Sequence, residues 1–487
     1  MSHSRDWSKI GVLLAALFIA GFFVSYTTDS LRVEFSQDDL MNCYRGWERP
    51  LGSLIGDNLL FWRFSPTFRP FCALIYKASH ALFGFEMLPM RILLWLILAA
   101  NSVLVYLVVR RLTNSIEAGL LGALLISYNR GFWALYLNTG TIYDIFCFFF
   151  YFWALAYYLR IRGKDRYPGP LQLLWIALLY IFSLDSKELG VSMPAAILFY
   201  ELLFHTPRWR GLGGWLVREA RAIWLTGVIT FAYILGRVIG PDSISQQGGY
   251  AVKVSFAEYF KQLANYLGEI FYCAGWFNNW KALVLVCAML LGVFVFRSRV
   301  LGFAWLFFTV GFLPMAFIPP RSPNAIYVPL AGIALYGAAL LVEIREELMR
   351  LARLPQWKPA GQVLLFLALA CFLIHIHTTI DDSLRAFQPE YDQIRRVREE
   401  YTQHHPTMKR GARILILKDP FKEYPWATIF ITGLLYRDPA MYVERLELTE
   451  AKPDAAGLAA FDYIFTFEDD KLIELDHKYV APPGLIQ

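Results

Sequence analysis

The stretch Ile10–Leu40, IGVLLAALFIAGFFVSYTTDSLRVEFSQDDL, joins an uninterrupted apolar run to two adjacent aspartates. The apolar part, Ile10 to Tyr26, approaches the roughly 20 residues that cross a bilayer as an α-helix. It lacks a small-x-small cleavage site and many apolar runs follow it, which favours a retained membrane helix over a removable signal peptide. Asp38 and Asp39 therefore come directly after a span, and their role depends on the side of the membrane that they face.

The rest of the chain has the composition of a polytopic membrane protein. Of 487 residues, 57% are hydrophobic and 18% are charged, and the mean hydropathy is +0.41. Soluble proteins carry about 25% charged residues. The net charge of +6 comes from basic loops between apolar runs and requires no nucleic-acid partner. The six cysteines form no CxxC pair, which argues against a disulfide framework or a zinc site.

Hydropathy predicts eleven transmembrane helices. Placing the N-terminus in the cytoplasm puts every strongly basic short loop on one side, as the positive-inside rule expects. The segment Phe256–Phe277 is left out because its polar residues recur with helical spacing, which predicts an amphipathic helix in the interface. Counting it as a twelfth span would move the later basic loops outside. The eleven spans lie at about 9–27, 89–109, 117–136, 140–160, 170–184, 189–205, 222–240, 282–297, 301–318, 326–343 and 361–379.

This topology predicts two domains. A polytopic α-helical membrane domain covers 1–380 and has its first extracytoplasmic loop at 28–88, and a small soluble extracytoplasmic α/β domain covers 381–487. The second domain is large enough to fold alone, and we expect it to recognise or position an acceptor. Its predicted elements are strands at Arg413–Asp419 and Asp462–Asp469 and a helix around Trp426–Tyr436. The absence of eukaryotic-style luminal loops and retention signals predicts a bacterial inner membrane.

Charged side chains gather at the predicted outer ends of the spans. Charge at an apolar boundary is costly unless it is paired or faces water, so these groups form an ion-pair network or line a wet pocket. Lys187-Glu188 is then a loop ion pair or part of a site, and Arg321 snorkels to the headgroups or binds an anion. The outer-face set is Asp38, Asp39, Arg69, Arg130, Asp144, Lys187, Glu188 and Arg321, with Tyr327 behind the last.

Two interpretations of Asp38-Asp39 remain open. Either one aspartate is the N-cap of a helix formed by LMNCYRGW, or the pair includes a catalytic carboxylate just above the membrane. A carboxylate with Lys and Arg nearby is the combination needed to move a sugar from a polyprenyl phosphate. The carboxylate accepts the proton of the incoming hydroxyl, and the cations neutralise the departing phosphate.

Four elements occur in an order that resembles a known family. They are Asp38-Asp39 after the first helix, FRPF at Phe68–Phe71, Lys187-Glu188-Leu189-Gly190, and Arg321 followed by YVP at Tyr327–Pro329. With Phe64–Leu112, they resemble the membrane-embedded GT-C glycosyltransferases, and are most similar to O-mannosyltransferases that carry tetratricopeptide repeats. Two features depart from that family: no repeat array follows, and most of the histidines and the asparagine usual in its second helix are missing.

The resemblance implies a GT-C fold and an inverting transfer of a hexose or pentose from a polyprenyl- or dolichyl-phosphate donor to a glycan, lipid or protein hydroxyl. It implies that Asp38 or Asp39 is the base. Lys187, Arg321 and Arg130 would hold the phosphate, and Glu188 and Asp144 would orient the acceptor or, in some relatives, a divalent metal. Arg69 and Tyr327 are further candidate substrate contacts. No cofactor is certain, because an activated phosphate leaving group makes a metal dispensable.

Three other functions are compatible with this pattern. A secondary transporter would place an essential charge at mid-bilayer. An O-antigen-type ligase or polymerase would depend on Arg and His in a large outer loop. A non-catalytic scaffold for envelope assembly is the third. The loop Pro241–Val254, which contains a glycine pair, is expected to act as a lid over the site.

Overall fold

A computed structural model of the protein describes residues 9–62, 69–127, 133–206, 212–238, 252–380, 382–421, 424, 426–448 and 455–475. Within these residues a large helical part is followed by a small mixed sheet. The helices of the first part are α1 (Lys9–Thr27), α2 (Gln37–Glu48), α3 (Leu51–Leu59), α4 (Pro70–Phe83), α5 (Leu88–Thr113), α6 (Ile116–Ser127), α7 (Trp133–Leu137), α8 (Ile142–Arg162), α9 (Pro170–Ser186), α10 (Met193–Phe204), α11 (Leu212–Arg218), α12 (Arg221–Val238), α13 (Phe256–Ile270), α14 (Asn279–Phe296), α15 (Arg299–Gly311), α16 (Leu313–Ala316), α17 (Tyr327–Leu351) and α18 (Lys358–Ile380).

A described helix lies at each of the eleven predicted spans. Seven segments are long and apolar enough to cross a membrane: Lys9–Arg32, Leu88–Thr113, Ile142–Arg162, Asn279–Phe296, Arg299–Ala316, Pro323–Leu351 and Lys358–Ile376. The helices α6, α9 and α12 are apolar but shorter. The polytopic membrane class is thus confirmed, and the count of eleven spans stays a prediction.

The first predicted loop is largely helical, because it contains α2, α3 and α4. Of the two interpretations of Asp38-Asp39, the one in which an aspartate caps α2 is wrong: Ser36 is the N-cap, and its side chain accepts a hydrogen bond from the Asp39 amide. The Asp39 carboxylate accepts one in return from the Ser36 amide at 2.9 Å, which completes a capping box. At the other end of α2, Lys77 Nζ donates to the carbonyls of Trp47 (2.6 Å) and Arg49 (2.7 Å). Both ends of α2 are therefore tied down.

The amphipathic segment predicted at 256–277 forms α13, which ends earlier, at Ile270. Ser255 caps it by accepting from the Glu258 amide at 3.0 Å. Phe260, Leu263 and Leu267 on one face are buried, as its spacing predicts. Most of the predicted lid falls in 239–251, which lies outside the described residues.

The C-terminal part contains α19 (Asp382–His404), β1 (Arg413–Ile416), α20 (Ala427–Tyr436), β2 (Tyr442–Arg445), α21 (Ala455–Leu458), β3 (Tyr463–Glu468) and β4 (Lys471–Glu474). The sheet order is β2-β1-β3-β4; β1 is parallel to β2 and β3, and β4 is antiparallel to β3. The two predicted strands and the predicted helix appear as β1, β3 and α20. The strands β2 and β4 were missed because each has only four residues and about half of them are charged.

The C-terminal part packs directly on the helices of the first loop. The Tyr44 ring of α2 lies 5.1 Å from the Phe430 ring of α20, measured between centroids. His80 Nε2 of α4 lies 3.0 Å from the Leu434 carbonyl oxygen. The predicted boundary at 380/381 falls between α18 and α19, and the division into two domains stays a prediction.

Candidate active site

A cavity of about 640 Å³ gathers most of the charged residues singled out from the sequence. These residues come from five separate segments: α2, the start of α4, the start of α8, the α9–α10 junction and the chain before α17. The polar lining consists of Asp38, Arg69, Asp144, Lys187, Glu188, Arg321, Ser322 and Asn324. The apolar lining includes Leu189, Val191, Tyr233, Ile234, Val252, Pro314, Met315 and Ile318. The cavity can therefore accept a ligand that is charged at one end and apolar at the other.

The two adjacent aspartates occupy different environments. The Asp39 side chain is fully buried, and its carboxylate accepts hydrogen bonds from Ser36 Oγ at 2.7 Å and from Tyr76 Oη at 2.9 Å. Asp38 lines the cavity and its side chain is exposed there, with neighbouring protein atoms shielding part of the carboxyl from solvent. This partial desolvation, together with the negative charge of Asp39, raises the pKa of Asp38. Asp39 thus stabilises the local fold, and Asp38 faces the cavity.

Asp144 and Lys187 form an ion pair in the cavity wall. The Lys187 ammonium donates to Asp144 Oδ1, and Asn324 Nδ2 donates to Asp144 Oδ2 at 2.9 Å. The side chains of Asp144 and Lys187 are 2% and 11% exposed. Lys187 adopts an extended backbone (φ −161°, ψ 149°) where α9 ends, and this directs the chain into the short turn before α10. The pair therefore links α8 to the α9–α10 junction.

A second ion pair lies beside the first. Arg69 Nη2 is 3.3 Å from Glu188 Oε2, and the Arg69 guanidinium stacks 4.7 Å from the centroid of the Tyr143 ring. Arg69 has a left-handed backbone (φ 60°) directly before Pro70. This conformation costs a non-glycine residue about 1–2 kcal/mol. The two pairs place two cations and two carboxylates in one wall.

The remaining predicted residues are less closely associated with these pairs. Arg321 is exposed at the cavity, and its backbone amide donates to Tyr266 Oη at 3.0 Å. Tyr327 does not line the cavity; its ring is buried and stacks on Phe148 at 3.9 Å between centroids. The position of Tyr327 therefore does not support the expectation that it contacts substrate. Arg130 lies outside the described residues.

Sequence reasoning missed three polar residues: Ser322 and Asn324 of the cavity lining, and Tyr76, which donates to Asp39. Asn324 follows Arg321 in PPRSPNAIYVP, and its amide at an apolar boundary was a usable signal. Tyr76 lies in an apolar helix with nothing in the sequence to distinguish it from core tyrosines. Within the described ranges, no group of three or more His, Cys, Asp or Glu side chains is placed to hold a metal ion.

Residues 66–237 match the family model described as dolichyl-phosphate-mannose-protein mannosyltransferase. This range includes four of the charged cavity residues, Arg69, Asp144, Lys187 and Glu188. The chain is also similar to the crystal structure of ArnT from Cupriavidus metallidurans in the apo state, with a TM-score of 0.55 and 12% sequence identity over 93% of each chain. At that identity the likeness shows a shared fold. No curated protein matches the chain.

The family match and the shared fold together support assignment to the GT-C superfamily of membrane glycosyltransferases. The sequence-based fold class is confirmed: the chain is an integral membrane protein with a small C-terminal sheet. Its particular donor, acceptor and orientation require a separate argument.

Proposed function

We propose that this protein transfers a monosaccharide, with inversion, from a polyprenyl-phosphate donor to an acceptor hydroxyl on the outer face of a bacterial inner membrane. One observation carries the proposal. An exposed carboxylate, two ion-paired cations and an apolar wall surround a single cavity of about 640 Å³. The outer-face orientation rests on the distribution of basic loops.

Asp38 is the proposed general base. It accepts the proton of the acceptor hydroxyl while that oxygen attacks the anomeric carbon. The bond between the anomeric carbon and the phosphate oxygen breaks on the opposite face, so polyprenyl phosphate leaves with the electron pair. Asp39 is unsuited to this step because its oxygens already accept hydrogen bonds from Ser36 and Tyr76 in a buried setting.

Lys187, Arg69 and Arg321 are the proposed phosphate ligands. Lys187 pairs with Asp144 and Arg69 pairs with Glu188, which holds both cations in the cavity wall. An ammonium carries three N–H donors and a guanidinium five, so each group can bind an anion as well as a carboxylate. Arg321 adds a third positive charge at the exposed rim. The carboxylates of Asp144 and Glu188 orient the two cations, and the acceptor can hydrogen-bond to them.

The apolar lining fits the lipid part of such a donor. Tyr233 and Ile234 come from α12, and Met315 comes from α16. An isoprenoid chain against these side chains would place its phosphate toward the cations, since charged and apolar linings adjoin in one cavity.

The test is transfer from a panel of radiolabelled polyprenyl-phosphate sugars by wild-type protein and by Asp38→Asn. We expect Asp38→Asn to lose turnover by about 10²–10⁴-fold, the usual contribution of a general base, while it still binds donor. The matched control is Asp29→Asn, because Asp29 is exposed and close in sequence but is not among the cavity-lining residues. Full activity of Asp38→Asn would contradict the proposed base, and no transfer from any donor would contradict the function.

The positions of the buried charges argue against the alternative of a transporter. Asp144 lies at the start of α8 and Arg162 at its end, about 27 Å apart along the helix axis. Arg162 binds Glu201 at the end distant from the cavity, with Nε 2.7 Å from Oε1. A transporter of the usual design has its charges near mid-bilayer. Among the described cavity residues there is no histidine either, which a ligase-type site would favour.

A further inference from the structure

The segment 33–36 leads into α2 and is bound by an arginine of the membrane part. Arg91, near the start of α5, is 2% exposed. Its Nε donates to the Val33 carbonyl at 3.1 Å, and its Nη2 donates to the Glu34 carbonyl at 2.9 Å. These two charge-assisted hydrogen bonds fix the backbone of the segment on one side.

An arginine of the C-terminal part binds the same segment through its side chain. Arg398 of α19 donates from Nη2 to Glu34 Oε1 at 3.3 Å and from Nη1 to Glu34 Oε2 at 3.4 Å. Arg398 Nη1 also donates to the Phe85 carbonyl at 3.0 Å, and the Phe85 ring stacks on Phe35 at 4.8 Å between centroids. Both side chains of the ion pair are largely shielded, at 15% and 14% exposure. A bidentate, shielded pair of this kind specifies geometry better than an exposed one.

The helix α19 connects this contact to the sheet. Tyr401 of α19 packs against β3, with its ring 5.8 Å from the ring of Phe465. Its ring also lies 5.8 Å from the ring of Phe467 in the same strand, measured between centroids. The C-terminal part therefore reaches residue 34 through a packed helix, which can transmit a constraint.

The order of residues makes this constraint relevant to the reaction. Glu34 precedes the N-cap Ser36 by two residues, and Ser36 precedes Asp38 by two. Because the capping box makes Ser36 and Asp39 one hydrogen-bonded unit, a shift at residue 34 moves the first turn of α2. We propose that Arg398 and Glu34 are positioning residues: the C-terminal part sets the placement of the Asp38 carboxylate without contacting substrate. This inference rests on the proposed function.

The test compares Glu34→Gln, Arg398→Gln, the double variant and the control Arg396→Gln in full-length protein. We expect both single variants to lose about 10- to 100-fold in kcat, because a displacement near 1 Å can cost this much. The donor KM should stay within about twofold, since the phosphate ligands are untouched. Glu34 also lies 3.6 Å from Arg395 Nε, so Glu34→Gln removes this contact together with the one to Arg398 and should be the slower single variant. The double variant should be no slower than Glu34→Gln, because the pair between residues 34 and 398 is already lost there. Arg396→Gln should match wild type in kcat, because the exposed Arg396 pairs with Asp470 (Nη2 to Oδ2, 2.8 Å) inside the C-terminal part and does not contact Glu34.

Three results would overturn the inference. They are equal kcat for Arg398→Gln and Arg396→Gln, additive losses in the double variant, or a loss explained by a rise in donor KM. Thermal unfolding of each variant shows what fraction of the preparation is folded. If the kcat loss disappears once activity is divided by the folded fraction, the inference is also contradicted. Full activity of Asp38→Asn would contradict the proposed function. An inactive Asp38→Asn together with an unimpaired Arg398→Gln would contradict only the positioning role.

Discussion

Substitutions in the ion pair between Lys187 and Asp144 can separate the effect of Lys187 on stability from its effect on donor binding. Replacing Lys187 by Met keeps most of the apolar stem and removes the ammonium. Asp144, 2% exposed, then keeps the 2.9 Å hydrogen bond from Asn324 but loses its cation. Leaving one charge of a buried pair without its partner costs about 3–5 kcal/mol. We expect that loss in the free energy of unfolding of Lys187→Met.

A second substitution should restore stability without restoring donor binding. In Lys187→Met/Asp144→Asn the buried charge is gone, so most of the lost stability should return. The donor phosphate still lacks its Lys187 ligand. Because a hydrogen bond to a charged group contributes about 1.5–3 kcal/mol, the donor KM should remain raised by about 10- to 150-fold.

The measurements are denaturant unfolding in detergent micelles and donor-dependent transfer kinetics on the same preparations. The control is Lys261→Met on α13, because the Lys261 side chain is 66% exposed and should change neither quantity. If the double variant regained wild-type KM together with stability, Lys187 would serve as an ion-pair partner only. The assignment of Lys187 to the phosphate would then be refuted.

Three further outcomes follow from the described contacts. The kcat/KM for transfer should fall as the pH drops through the raised pKa of Asp38, because the protonated carboxyl cannot act as a base. If kcat/KM fell only at or below pH 3.9, about the usual pKa of an aspartate, this prediction would be contradicted. Glu201→Gln leaves the buried Arg162 with the more distant carboxylate of Glu219, at 3.7 Å, and should lower the free energy of unfolding by about 3 kcal/mol. Glu347→Gln, at a partly exposed pair, should lower it by less than about 1 kcal/mol, and equal losses in denaturant unfolding would refute the difference. Ser36→Ala removes the N-cap of α2 and should cost about 0.5–2 kcal/mol by the same measurement, and no change would argue against the capping box.

Much of the membrane architecture could be predicted from hydropathy and charge, because both are properties of consecutive residues. The spans of α5, α8 and α17 were located this way, and so was the amphipathic α13. Boundaries were less accurate where local chemistry intervenes. The helix α9 ends at Ser186, two residues beyond its predicted end, where polar residues and the extended Lys187 interrupt it. The helices α3 and α4 were missed because short helices in a loop carry little periodic signal, whereas α2 was anticipated in the interpretation that placed a capped helix over LMNCYRGW.

The sequence by itself determined the class of fold and the residue types of the candidate site, since an apolar span or a charge at its end is costly in any other setting. It could not distinguish Asp38 from Asp39, because neighbours in sequence differ only through the side chains that pack around them. The tertiary structure decided that Asp39 is buried against Tyr76 and that Asp38 faces the cavity. It also decided that Tyr327 belongs to the core and that α19 reaches Glu34, since both depend on contacts between residues far apart in the chain.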